Sequence, residues 1–404
     1  FDQVVISTGA KQALFNALQA IVNEGDEVII FAPYWVSYPE LVKMAGGVPV
    51  FVKTIEEKGF AIDFDALNSA ITDKTCAIIL NTPSNPSGAV LSEADIRKIA
   101  EITKEHDLMV VSDEIYDCLL YDDAKHFSVM QIDEDMRERT VLINGMSKAY
   151  AMTGWRIGFI AAPEWVVKGC NKLQGQYTSG PCSVSQKAAE AAYTGTQQPV
   201  EDMRKAFERR KNLIVSLAKE IPGLEVNDPQ GAFYLFPKCS AYFGKKDGDR
   251  VINTSTDLAM YLLEVGHVAT VAGDAFGSPE CFRMSYATSD ENIVEAMRRI
   301  KEALANGKVA SYVTDFPAPD TIGVKGIVTI PMTKETFGGV KQSDGTIDGE
   351  DCMEEGPWLD KRGDNYYLIY AAGGIPEHIS YSMSKSPEGP WEYKGKIMYD
   401  QNTG

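Results

Sequence analysis

Over residues 1–304, strand-length runs rich in β-branched residues alternate with amphipathic stretches, and this alternation constrains the fold more than any other feature of the chain. Strands separated by helices must cross over the sheet face before they pair, so the pattern predicts a mostly parallel sheet with helices on its faces. Strands are expected at Glu27–Ala32, Val48–Lys53, Cys76–Leu80, Leu108–Ser112, Thr140–Asn144 and Arg156–Ala161. Helices are expected at Ala10–Asn23, Asp63–Ile71, Ser92–His106 and Glu164–Gly175, several of them opened by Ser or Asp at an N-cap position. The opening residues Phe1-Asp2-Gln3-Val4-Val5-Ile6 read as a strand, with no initiator Met and no signal-peptide pattern, which predicts a start inside a domain.

Beyond a long helix near Pro199–Lys219 the texture changes. Strands at Ala232–Pro237 and Cys281–Ala287, with helices near Thr256–Val265 and Asp290–Ala305, predict a second, smaller α+β domain. After about residue 305 the chain becomes turn-rich and aromatic, with short alternating strands such as Tyr366–Ala371 and Ile379–Ser384, and reads as all-β. The expected division is 1–190, 191–304, 305–332 and 333–404, within what 404 residues allow.

Composition narrows the function classes. Hydrophobic residues at 44% and charged residues at 24% are globular usage, so the chain is expected to fold. A formal net charge of -18 repels phosphate backbones and anionic lipid surfaces, so neither nucleic acid nor a membrane is an expected partner. The seven cysteines form no C-x-x-C pair and no even framework, which suits reduced thiols in the cytoplasm and predicts neither a disulfide nor a metal site.

The chemistry-bearing motifs fall where strands of such a sheet would end, the place where open α/β folds bind ligands. Thr8-Gly9-Ala10-Lys11 precedes a helix, so it is either a plain turn or a site where the Ala10 and Lys11 amides meet an anion. The octet Asn81-Thr82-Pro83-Ser84-Asn85-Pro86-Ser87-Gly88 is a stiff loop that presents the Asn85 amide in a set direction. Asp113 ends an apolar strand, as a helix N-cap or as a charge held for a ligand, with Tyr116 three residues on. Lys148 lies between an apolar strand and a glycine-containing turn, where partial desolvation favours the neutral amine that a Schiff base needs.

Together with Tyr34-Trp35, Ser112-Asp113-Glu114-Ile115-Tyr116, Ser147-Lys148, Gly154-Trp155-Arg156-Ile157-Gly158 and Phe282-Arg283-Met284-Ser285, these strings closely resemble the class I aminotransferases of the aspartate aminotransferase kind. The resemblance implies an α/β fold with a fold-type-I large domain, a homodimer, and the cofactor pyridoxal 5'-phosphate (PLP). It makes Lys148 the Schiff-base lysine and proton carrier, Asp113 the partner of the pyridine nitrogen, and Asn85 and Tyr116 partners of the phenolic oxygen. Trp35 would stack on the ring, or else be a core aromatic. Gly9, Ala10, Lys11 and Arg156 would hold the phosphate, and Arg283 the substrate α-carboxylate. Lys11 could also reach a distal carboxylate or face solvent. The implied reaction is transamination between an amino acid, of aspartate or glutamate type, and a 2-oxo acid.

The family has several dozen residues before the point matching Phe1, so weakened substrate binding and dimerisation are expected here. Residues Asn306–Pro331 are similar to part of a phosphoglycerate dehydrogenase. From about Thr333, Glu354-Glu355-Gly356-Pro357-Trp358 and Ser384-Lys385-Ser386-Pro387-Glu388-Gly389-Pro390-Trp391 resemble five-bladed propeller glycosidases, with Glu355 at the general-acid place. Two further readings stand beside the aminotransferase: a carbohydrate-active protein recognisable only in its last part, and a mosaic without catalysis.

Overall fold

In the computed structural model, alternate residues of the central strands face opposite ways and both sets are buried. Val28, Ile30, Ile79, Val111 and Val141 pack on one side of the sheet, and Ile29, Ile78, Leu80 and Val110 on the other. The structure describes residues 2–305, together with the backbone at 339–341, 347–349, 353–362, 365–372, 378–385 and 392–398. The chain divides into two units, Phe1–Ala310 and Ser311–Gly404.

In the first unit, β1 (Val4–Ser7), β2 (Glu27–Ala32), β3 (Val48–Lys53), β4 (Thr75–Asn81), β5 (Met109–Asp113), β6 (Thr140–Gly145) and β7 (Gly158–Ala161) form one sheet in the order β1-β7-β6-β5-β4-β2-β3. The pairs β2–β3, β2–β4, β4–β5 and β5–β6 are parallel, whereas β7 runs antiparallel to both β6 and β1. The sheet is therefore mixed, and β7 is the exception to the parallel expectation. Between β6 and β7 the only helical segment is the single turn Thr153–Trp155, so no crossover helix carries the chain back and it returns antiparallel. That return brings Lys148 and Arg156 to the same sheet end as Asp113.

Helices α1 (Ala10–Ile21), α2 (Ser37–Met44), α3 (Phe64–Ala70), α4 (Glu93–Glu105), α5 (Glu134–Glu138), α6 (Glu164–Tyr177), α7 (Ser183–Thr194) and α8 (Gln198–Lys219) follow. Ser92 caps α4 reciprocally with Asp95, and Asp63 caps α3, so both starts sit where the N-cap residues were expected. Helices α2, α5 and α7 have no counterpart in the sequence reading. The first holds Pro39 inside its first turn, which a helix tolerates only there.

The C-terminal part of this unit contains β8 (Tyr234–Leu235), the hairpin β9 (Lys245–Asp247) and β10 (Arg250–Ile252), α9 (Ser255–Glu264), β11 (Val271–Ala272), β12 (Phe282–Ser285) and α10 (Asp290–Leu304). Strands β11, β12 and β8 form a three-stranded antiparallel sheet, whose Tyr234, Leu235, Phe282 and Met284 share a core with Ile214 of α8 and Leu258 of α9. Strand β8 is shorter than the expected Ala232–Pro237 at both ends; it starts late because Ala232 takes a left-handed φ of 58°. Strand β7 likewise begins after Arg156, whose φ is 53°, and not at it.

In the second unit, β13 (Gly339–Lys341) pairs with β14 (Ile347–Gly349), and β15 (Met353–Arg362), β16 (Asn365–Ala372), β17 (His378–Ser384) and β18 (Glu392–Met398) form an antiparallel meander. The two strands expected in the tail lie inside β16 and β17. The stretch 306–331, expected to be dehydrogenase-like, the Ser386–Trp391 string and Cys352 lie outside the described residues.

Candidate active site

The carboxyl ends of β2, β4, β5 and β6 open onto a cavity of about 330 Å³. It is lined by Ala10, Lys11, Trp35, Asn85, Asp113, Tyr116, Lys148, Arg156 and Arg283, so the residues singled out in sequence converge, and Gly9 alone does not reach the wall. Gly9 sits beneath it. At φ 82° it occupies a region that L side chains avoid, and a Cβ there would lie 2.3 Å from Arg156 Nη2. Gly158 allows a similar closeness, since its Cβ would lie 2.4 Å from the Ala10 nitrogen, and this absence seats the start of α1 against β7.

The start of α1 is bare. It has no side-chain cap and no acidic residue in its first turn, so the amides of Ala10 and Lys11 meet the cavity beside the Arg156 guanidinium. Arg156 itself donates to the Thr153 carbonyl at 2.7 Å. Lys11 is exposed, with Nζ 4.9 Å from the centre of the Trp35 ring. Trp35 is half-buried and meets Tyr38 edge-on at 5.4 Å.

Asp113 forms the floor. No helix follows it: its Oδ1 accepts from the Ile115 amide at 3.2 Å and its Oδ2 from the Tyr38 hydroxyl at 2.7 Å, so the N-cap alternative gives way to a carboxylate aimed into the cavity. Burial raises its pKa to about 6, against the lowering effect of the Tyr38 and Ile115 hydrogen bonds. Its backbone carbonyl accepts from Asn81 Nδ2 at 3.0 Å, and Asn81 Oδ1 accepts from the Asn85 amide at 2.8 Å. Thus the octet loop is tied to the end of β5.

Asn85 Oδ1 in turn accepts from Arg283 Nη1 at 2.8 Å, while the guanidinium lies 4.5 Å from the centre of the Tyr234 ring. The hydroxyls of Tyr116 and Tyr234 share a hydrogen bond of 3.0 Å, and burial keeps the Tyr116 phenol well above its ordinary pKa. Lys148 Nζ stands 5.3 Å from the centre of the Phe233 ring and 5.8 Å from that of Tyr116. Its pKa is lowered by burial first and by the Arg283 and Arg156 charges, with Asp113 opposing. The cavity therefore offers an amine biased toward its neutral form, two guanidiniums and a bare helix start in a chain that is acidic overall.

Sequence reasoning gave no site role to Tyr38, Thr153 and Tyr234, or to Ser147 beyond its place in the Ser147-Lys148 string, and all four line this cavity. Tyr38 lies in the first turn of α2, and its amide donates to the Trp35 carbonyl at 3.0 Å, a local turn that brings the two side chains together. Tyr234 carries no local signal, since its neighbour Tyr116 is 118 positions away. Among the described residues, no group of three or more His, Cys, Asp or Glu side chains is placed to hold a metal ion, and no helix is long and apolar enough to cross a membrane. The six described cysteines are free thiols.

Residues 2–300 match the family model for aminotransferase class I and II. The chain belongs to this family. It is 48% identical over 303 residues to an aspartate aminotransferase of Bacillus subtilis (strain 168), covering 74% of this chain and 75% of that one. An aspartate aminotransferase of Bacillus sp. (strain YM-2) is 46% identical over 299 residues, covering 74% and 75%. The solved structure of the aspartate aminotransferase from Rhizobium meliloti superposes with a TM-score of 0.73 at 42% identity, over 75% of this chain and 76% of that one. Residues 315–403 match the model of glycosyl hydrolases family 43. This class I and II aminotransferase is accordingly a PLP-dependent enzyme that transfers an amino group from an amino acid to a 2-oxo acid.

Proposed function

We propose that the cavity is the PLP site and that the enzyme takes its amino group from a dicarboxylic amino acid, aspartate or glutamate. The observation that carries the site assignment is the convergence of Lys148, Asp113, Asn85, Tyr116, Arg156 and Arg283 on one cavity at the strand ends. The donor class is supported by the names of the relatives above.

The residues suit the group. Its phosphate matches the bare α1 start at Gly9, Ala10 and Lys11 together with Arg156. Bound there, the cofactor supplies an aldehyde that captures amines and a pyridinium ring that draws electrons from the substrate Cα. Asp113 would hold a proton on the ring nitrogen, because a buried carboxylate stabilises a cation beside it. Asn85 and Tyr116 would hydrogen-bond the phenolic oxygen, and Trp35 would cover the ring face and exclude water. Arg283 grips the substrate α-carboxylate through its planar fork. Lys148 Nζ, biased toward its neutral form, would take the proton from the substrate Cα and return it.

The enzyme works in this proposal as a cytoplasmic homodimer, with residues 1–190 as the large domain and 191–304 as the small one. Trp165, Tyr177, Val184 and Tyr193, exposed on α6 and α7, support the dimer, and the free thiols suit a reducing compartment. For residues 333–404 we propose an all-β glycosidase-like segment with Glu355 at the general-acid place, supported by the family 43 match, which begins at residue 315 inside the dehydrogenase-like linker 305–332. Hydrolysis needs a second carboxylate across the scissile bond, so no sugar cleavage is assigned to it.

Titration of the purified chain with PLP should raise an absorbance band at about 400 nm that borohydride fixes on the Lys148 peptide. Lys148→Ala should bind no borohydride-stable label. A label on another lysine, or none in the unmodified chain, refutes the site assignment.

A further inference from the structure

On the far side of β5 from the cavity lies a buried polar cluster that the reaction does not touch. Strand alternation sends Asp113 to the cavity and Ser112 and Glu114 to the opposite face. There the Glu114 side chain, 4% exposed, receives three hydrogen bonds: Ser112 Oγ and Ser128 Oγ each donate to Oε1 at 2.8 Å, and His126 Nε2 meets Oε2 at 2.7 Å. The Glu114 amide also donates to the Ile143 carbonyl of β6 at 2.9 Å. One residue next to Asp113 is thus tied to its own strand, to the neighbouring strand and to the loop that precedes the turn at Val129–Gln131.

His126 is partly buried, and its Nδ1 is enclosed with no partner among the described residues. Its bond to Glu114 is therefore what holds the ring. Burial works to lower the pKa of His126, but the hydrogen bond and charge of Glu114, with Asp117 behind them, offset it and raise the ring above its ordinary value. On the other side, Asp113 faces Tyr38, Lys148 and the charge of Glu114, the last of which favours its neutral form. Two adjacent carboxylates discourage each other's ionisation unless a cation stands with one of them.

We propose that Glu114 and His126 are a positioning pair for transamination: the buried carboxylate pins the end of β5 so that Asp113 and Tyr116 face the cavity, and the imidazole supplies the counter-charge that lets Asp113 stand as an anion. The proposal rests on the cavity being the PLP site. Neither residue touches the cavity, so both act through Asp113.

The test is the PLP dissociation constant of the full chain measured across pH 5 to 8 for the unmodified protein, His126→Asn, Glu114→Gln and the double variant. His126→Asn leaves the Glu114 charge alone beside Asp113, so the pH below which affinity falls should rise by about 0.5–1 unit, a loss of about three- to tenfold at pH 6. Adding Glu114→Gln should return that midpoint to its original position. His126→Gln serves as the second variant where asparagine compromises folding. A structural role alone lowers Tm without moving the midpoint and is not rescued by the second substitution, so an unmoved midpoint in His126→Asn overturns the pair while leaving the PLP site standing. No PLP binding by the unmodified chain refutes the site, and the pair with it.

Discussion

Replacing Asp113 with asparagine should stabilise the cofactor-free protein at neutral pH while removing its hold on PLP. The Asp113 side chain is 3% exposed, and burial is the first cause that lifts its pKa from 3.8 to about 6. Unfolded, the same carboxyl titrates near 3.8, so between the two values the folded chain binds a proton that the unfolded chain has released. The stability contribution is therefore intact below the unfolded pKa, is lost as pH rises through the window, and stays lost above about 6. A gap of about two units at 1.36 kcal/mol each corresponds to about 3 kcal/mol. Asparagine keeps the shape and still accepts from Tyr38 or Ile115, but its NH₂ replaces one acceptor, which takes back about 1–2 kcal/mol and leaves a net gain of about 1–2 kcal/mol at pH 7.5. Thermal unfolding of both cofactor-free proteins from pH 4.5 to 8 measures the effect. The asparagine variant should gain on the native protein as pH rises and then level off above about pH 6.5. A difference that stays constant across that range would refute the argument, because it would mean that the buried charge has no energetic cost.

Two further substitutions probe the same cavity from other sides. Gly9→Ala places a methyl group 2.3 Å from Arg156 Nη2 at a φ of 82°, so the guanidinium must move. PLP and inorganic phosphate should both bind about tenfold or more weakly by titration, as expected for loss of a hydrogen bond to a charged group, whereas Gly154→Ala, with no atom within 4 Å, should leave both constants unchanged. Tyr38→Phe removes the 2.7 Å donor that favours the Asp113 anion, so the Asp113 pKa should climb and the acid limb of PLP binding should move to higher pH, which a spectrophotometric pH titration reads directly.

Much of this site is legible in the chain because its chemistry is carried by short strings. A buried strand ending in Asp113, a stiff octet around Asn85 and a lysine between a strand and a glycine turn are local patterns, and the alternation of Ile29 with Val28 and Ile30 already implies a sheet buried on both faces. The N-caps at Asp63 and Ser92 are legible for the same reason, since a cap acts within one turn. Two of the shortfalls share a cause as well. The left-handed residues Arg156 and Ala232 cut their strands short, and neither is a residue type that announces such a backbone.

Hydrophobic period, turn chemistry and motif order are properties of neighbouring residues, so the sequence by itself determined most of the strand and helix succession, the family resemblance and the roster of candidate groups. Only the tertiary structure decided that Tyr38 would donate to Asp113 across 75 positions, that Tyr116 would find Tyr234 across 118, that Arg283 would reach Asn85 across 198, and that Glu114 would be held from behind by His126. These partners are chosen by which strand ends meet and which residues lack a Cβ where chains pass closely, and that choice belongs to the packed molecule as a whole.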